Sequence, residues 1–150
     1  MAVGTVSSTT SDTWQLISSQ TPTSGTSVSF TSISGYKTLM MAFKGVTTAA
    51  NSYMIVRFNN DSSAGNYNDG GGDGSSMLLA INSGPRAGAI VIYDADKEVP
   101  HKMEKTSYDP SVAMNPVFYT NPVAITRIDL VSRESQAFTA GTVYLYGIAA

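Results

Sequence analysis

Cysteine is absent from the 150 residues, histidine and tryptophan occur once each, and only 13% of the chain is charged. Each shortage closes off a class of chemistry. Without thiols there are neither disulfides nor thiolate metal sites. His101 stands alone, so a histidine metal cluster is excluded, and no G-x-S-x-G turn supplies a nucleophile for it to activate. It is read as an exposed or structurally bonded residue. Phosphate-binding patterns of the G-x-x-x-x-G-K-[ST] and G-x-G-x-x-G kinds are missing as well. The charged fraction is about half the usual value, and a net charge of -2 offers no field to attract phosphates, so nucleic acid is not expected as a partner. The apolar runs at 39–43 and 77–81 are too short to cross a bilayer, and membrane insertion is not expected. The first ten residues carry no basic segment and no apolar stretch of the secretory kind, which points to synthesis in a cytoplasm.

Ser, Thr, Asn and Gly fill the place of the missing charges, and hydrophobic residues recur with a period of two. Val28 and Phe30 alternate with Ser27, Ser29 and Thr31. Leu39, Met41 and Phe43 alternate with Thr38, Met40, Ala42 and Lys44, and Met54, Val56 and Phe58 with Tyr53, Ile55 and Arg57. Further alternation runs through 124–133 and 141–148, and continuous apolar runs at 77–81 and 89–93 lie between Gly/Pro/Asn breakers. This is the pattern of strands, and no stretch long enough for a helix carries the helical period. Trp14 and Leu16 are expected to open the first strand facing inward. Val117 to Tyr119, held between Asn-Pro pairs, is expected to be an edge strand or loop. The charged stretch 94–109 is expected to lie solvated on the outside. The fold class is therefore all-β: a single sandwich of jelly-roll type with about nine short antiparallel strands. It spans 13–150 and is preceded by an extended arm at 1–12.

Polar chemistry is densest at 58–74, where Asn, Asp and Gly crowd around Ala64 and Tyr67. Asp61, Asp69 and Asp73, with Asn66, are the metal candidates there, but the spacing fails the EF-hand and glycine-rich calcium repeats. No cofactor is expected. Tyr67, flanked by Asn66 and near Asn60, is the candidate contact for a partner or a glycan, since an exposed ring can stack on a pyranose while amides fix its hydroxyls. No carboxylate pair is marked out for glycoside hydrolysis, and a non-enzymatic protein is expected. On the strands, Tyr53 with Ile55 and Tyr144 with Tyr146 face away from the core positions. Cross-strand pairing on an exposed sheet and a subunit interface both account for them.

Trp14-Gln-Leu-Ile-Ser18, Phe30-Thr-Ser-Ile-Ser-Gly-Tyr-Lys-Thr-Leu39, Arg57-Phe-Asn-Asn-Asp-Ser62 with Asn66-Tyr67, Ala124-Ile-Thr-Arg-Ile-Asp-Leu130 and Phe138-Thr-Ala-Gly-Thr-Val-Tyr-Leu-Tyr-Gly-Ile148 occur in the order of a recurrent module. In these the chain resembles the small β-sandwich virion proteins of tailed bacteriophages. The resemblance implies a head-decoration (cement) or tail-fibre subunit that acts through protein contacts. It also implies a homo-oligomer, with a trimer favoured, located in the virion after synthesis in the bacterial host cytoplasm. Other virion proteins would be its partners, and no catalytic residues are carried over. The residues at 70–74 and 94–109 depart from the pattern. A carbohydrate-binding module for host-surface glycans is the alternative.

Overall fold

The computed structural model describes residues 12–68, 74–80, 84–107 and 117–150. Among the described residues the chain forms eleven strands: β1 (Gln15–Gln20), β2 (Ser27–Phe30), β3 (Tyr36–Thr48), β4 (Met54–Phe58), β5 (Tyr67–Asn68), β6 (Met77–Ala80), β7 (Arg86–Tyr93), β8 (His101–Ser107), β9 (Val117–Tyr119), β10 (Ile128–Ser132) and β11 (Phe138–Ala149). They form two antiparallel sheets, one ordered β1-β11-β3-β7-β8-β9-β5 and the other β2-β10-β4-β6. The chain crosses between them so that β1-β11-β3-β7 faces β2-β10-β4-β6, which is the winding of a jelly roll. Strands β8, β9 and β5 extend the first sheet beyond β7. The total is eleven strands where about nine were expected.

Alternation decides what lies between the sheets. Leu39, Met41 and Phe43 of β3, Val143 and Leu145 of β11, Met54, Val56 and Phe58 of β4, and Ile128 and Leu130 of β10 are all buried in one core cluster. Each such side chain contributes roughly 1.5–3 kcal/mol by leaving water. In β3 the period breaks once. Gly45 takes a φ of 64°, the pairing with β7 slips between Lys44 and Val46, and the inward set continues as Val46 and Thr48. That slip lets the inward set run on from Leu39 through Thr48 in a strand of 13 residues.

Several expectations are overturned. Trp14 and Leu16 do not face inward; they are 43% and 57% exposed, and Ile17 packs on the core instead. A bulge between Leu16 and Ser18 shifts the alternation in β1, leaving Leu16 opposite Tyr146 on the outer face. The charged stretch 94–109 is solvated only in part: Asp94, Lys97, Glu98, Lys102 and Glu104 are exposed, and 108–109 lie outside the described residues. Ala95, His101, Met103 and Lys105 are buried, because β8 is a full member of the large sheet and pairs with both β7 and β9. Nor is β9 an edge: β5 pairs on its far side, and Val117 and Tyr119 are completely buried. The arm expected at 1–12 lies, except for Asp12, outside the described residues. Asp12 itself is exposed and pairs with Lys37.

Candidate functional site

Where β4 ends at Phe58, the next two residues, Asn59 and Asn60, take φ values of 51° and 58°. Asparagine tolerates this left-handed region better than most side chains, and the turn closes with the Asp61 N–H donating to the Phe58 carbonyl at 2.8 Å. The Asn59 carboxamide then locks the turn to a distant segment. Its Nδ2 donates to the Ala124 carbonyl at 2.8 Å, while its Oδ1 accepts from the Thr126 and Arg127 N–H groups at 2.8 and 3.1 Å.

Asp61 is the hub of the loop beyond this turn. Its Oδ1 accepts from the Ser63 N–H at 2.8 Å, and its Oδ2 accepts from Asn66 Nδ2 at 2.7 Å, the Tyr119 hydroxyl at 2.8 Å and Asn121 Nδ2 at 3.2 Å. Partial burial pushes the carboxyl upward, but these donors together outweigh it and hold the group well below the usual carboxylate range. Tyr67 closes the loop from beneath. Its hydroxyl accepts from the Phe58 N–H at 2.9 Å and donates to the Asp61 carbonyl at 2.9 Å. The rings of Phe58, Tyr67 and Tyr119 form a triangle with centroid separations of 5.0 to 6.1 Å. Burial raises the pKa of both phenols, and for Tyr119 the bond to the Asp61 carboxylate adds to the rise.

The loop is thus a structural clasp, and the contact expected of Tyr67 is corrected accordingly. Tyr67 is only 3% exposed, so its ring offers no face to a sugar or a partner. Asn66 is committed to Asp61, and Asn60 alone of the three stands exposed. Of the metal candidates, Asp61 has both oxygens occupied by protein donors, while Asp69 and Asp73 lie outside the described residues. Among the described residues no group of three or more His, Asp or Glu is placed to hold an ion. Tyr119 and Asn121, which complete the hub, lie about sixty residues beyond Asp61, and no local signal marks them.

Because folding lowers the pKa of Asp61, its carboxylate contributes stability that is full above about pH 4 and is lost as the pH falls toward the folded value. Asp61→Asn removes that dependence. In thermal unfolding followed from about pH 5 to pH 2, the wild-type midpoint is expected to fall more steeply than that of Asp61→Asn. Parallel slopes would show that the carboxylate is not engaged.

His101 is fully buried beside this clasp. Its Nε2 lies 2.7 Å from the Val123 carbonyl and its Nδ1 3.3 Å from the Tyr93 carbonyl, with the ring stacked on Tyr119 at 6.2 Å. Both nitrogens therefore face backbone carbonyls that join β8 to its neighbours, the structurally bonded alternative for this residue.

The four aromatic and aliphatic interface candidates do not share a surface. Tyr53 directly precedes β4 and Ile55 lies within it; the Arg133 guanidinium covers the Tyr53 ring at 4.1 Å, and Ile55 is already buried within the chain. An interface role for Ile55 is corrected by that burial. Tyr144 and Tyr146 lie on the outer face of the large sheet, half-buried and stacked at 6.1 Å. Register places them in two rows across four strands. Leu16, Tyr146, Met40 and Val91 form one, and Ser19, Tyr144, Ala42 and Ala89 the other. Glu104 and Thr106 of β8 end these rows, and Lys44 lies on the next row along β3. Comparison of the chain with protein-family models and with curated proteins finds no match.

Proposed function

We propose that the chain is a non-enzymatic structural subunit of a tailed-bacteriophage virion, a head-decoration (cement) or tail-fibre protein, and that it assembles through the outer face of its large sheet. One observation carries this: the uncharged run of Leu16, Tyr146, Met40 and Val91 across β1, β11, β3 and β7, with Leu16 more than half exposed. Interface cores are depleted of charge and enriched in Tyr and Met. Four strands at ~4.8 Å spacing, with about eight residues each at ~3.3 Å, give a flat footprint on the order of 500 Å², to which the projecting Leu16, Tyr144 and Tyr146 side chains add, against the ~800 Å² per partner of a stable interface. The order of motifs shared with virion modules and the jelly-roll winding add to this support.

A charge introduced at Leu16, the exposed end of this run on β1, would lose water on assembly without gaining a partner. The wild type is therefore expected to sediment as a defined homo-oligomer, and Leu16→Glu to weaken self-association by roughly 100-fold or more while leaving the β-sheet spectrum unchanged. A wild-type chain that remains monomeric at concentrations of about 100 μM, and that does not co-purify with particles, would remove the basis for this function.

A further inference from the structure

We propose that the cleft between β1 and β2 is a binding site for a neutral saccharide. These strands are the outermost members of the two sheets, and a gap between them is lined from both. The opening is a concavity of about 430 Å³, within the range of small-ligand pockets. Its apolar surface is supplied by the half-buried Ile17 side chain and Tyr36 ring, which rest on the buried Phe30, Ile33 and Leu145. The ring of Tyr36 occupies the space over Gly147 that any side chain at 147 would fill: a Cβ there would come within 2.4 Å of it. The absence of a side chain at 147 thus seats an aromatic surface at the cleft.

The rim is made of hydroxyls. Ser18, Thr31, Ser32 and Ser34 are exposed around the floor, and Ser32 is held at a φ of 58°. Hydroxyl groups both donate and accept, as sugar hydroxyls do, and an aromatic or aliphatic floor matches the C–H face of a pyranose. Among the described residues, no Asp, Glu, Lys, Arg or His lines the cleft. That argues against phosphorylated, sulfated or sialylated ligands, whose charge would go uncompensated.

An added peptide strand fits less well. Gln20 Nε2 crosses from β1 to donate to the Ser29 carbonyl at 2.7 Å, occupying an acceptor on the open edge of β2. The bulge at Leu16/Ser18 interrupts the regular edge of β1. The site is separate from the outer face of the large sheet, so it stands or falls independently of the assembly surface.

Amide chemical shifts of the full chain, titrated with maltose, lactose and N,N′-diacetylchitobiose and with sialyllactose as the charged control, test the site. At least one neutral disaccharide is expected to move the amides of 17–20 and 29–36 with a millimolar Kd, and sialyllactose is expected not to. Thr31→Glu, at an exposed rim position, is expected to weaken that binding at least about tenfold without altering the remaining spectrum. Tyr36→Leu is expected to do the same by removing the aromatic surface. The proposal is overturned if no neutral disaccharide moves these amides at about 50 mM. It is equally overturned if the shifts centre elsewhere, or if they survive Thr31→Glu undiminished.

Discussion

Gly141→Ala is expected to destabilise the fold by about 4 kcal/mol, seen as a loss of roughly 2 M in the urea midpoint. Gly141 holds a φ of 101°, and a Cβ on it would meet the Val46 Cα at 2.4 Å, the Val46 nitrogen at 2.5 Å and the Gly45 carbonyl carbon at 2.6 Å. All three are backbone atoms, so no side chain can swing aside to make room. The pairing of β11 with β3 slips beside Ala140, and the pairing of β3 with β7 slips beside Gly45, so two irregularities nest into one another at this point. The nesting lets Val46 and Thr48 face inward after Leu39, Met41 and Phe43. Separating the strands by even an ångström would weaken the pairing of β11 with β3. Gly25→Ala is the control. Its φ is 74° with nothing within 4 Å of a Cβ, so only the conformational cost of about 1 kcal/mol applies. Equal losses in the two variants would mean that contact at Gly141 is not what fixes the register.

Phe58→Ala is expected to cost about 3–5 kcal/mol, the range for removing a large buried aromatic side chain. Phe58 is fully buried, packs against both Tyr67 and Tyr119, and is paired with Ile128 across the smaller sheet. Its loss leaves a cavity beneath the clasp, and the phenols that aim at Asp61 lose the ring they rest on. The variant is therefore expected to lose part of the acid sensitivity that Asp61 confers, in addition to stability. Phe58→Leu retains most of the volume and is expected to recover all but about 1.5 kcal/mol. A Phe58→Ala loss below about 1 kcal/mol would show that the site collapses freely and that the triangle of rings is not rigid.

How much of the fold is legible in the sequence depends on the reach of each signal. Alternation is a local property, and it correctly assigns the inward faces of β2, β3, β4, β10 and the last strand. Bulges are invisible to it. One extra residue at Leu16/Ser18 is enough to turn Trp14 and Leu16 outward, and so to hide the most exposed part of the outer face. Charge misleads in a different way. His101 and Lys105 lie in a stretch that reads as solvated, yet both are buried, with His101 facing the Tyr93 and Val123 carbonyls and Lys105 donating to the Leu78 carbonyl at 3.1 Å. Backbone acceptors from strands distant in sequence make that burial possible. The same distance conceals the clasp: Tyr67 reads as a loop residue because its partners, Tyr119 and the end of β4, are brought to it only by the pairing of β5 with β9. The cleft at β1 and β2 is also unreadable, since it is lined from the outermost strands of two different sheets.

The proposed assembly surface can be probed at a single atom, because a chain without cysteine gives any introduced thiol a unique address. Ala42 lies in the middle of the outer face, between Tyr144 of β11 and Ala89 of β7, whereas Glu98 is exposed in the turn before β8. Maleimide labelling of Ala42→Cys is expected to slow by about tenfold or more between dilute and concentrated protein while Glu98→Cys labels at a constant rate. A rate for Ala42→Cys that does not change with concentration, in a protein that sediments as an oligomer, would place the contact elsewhere on the molecule.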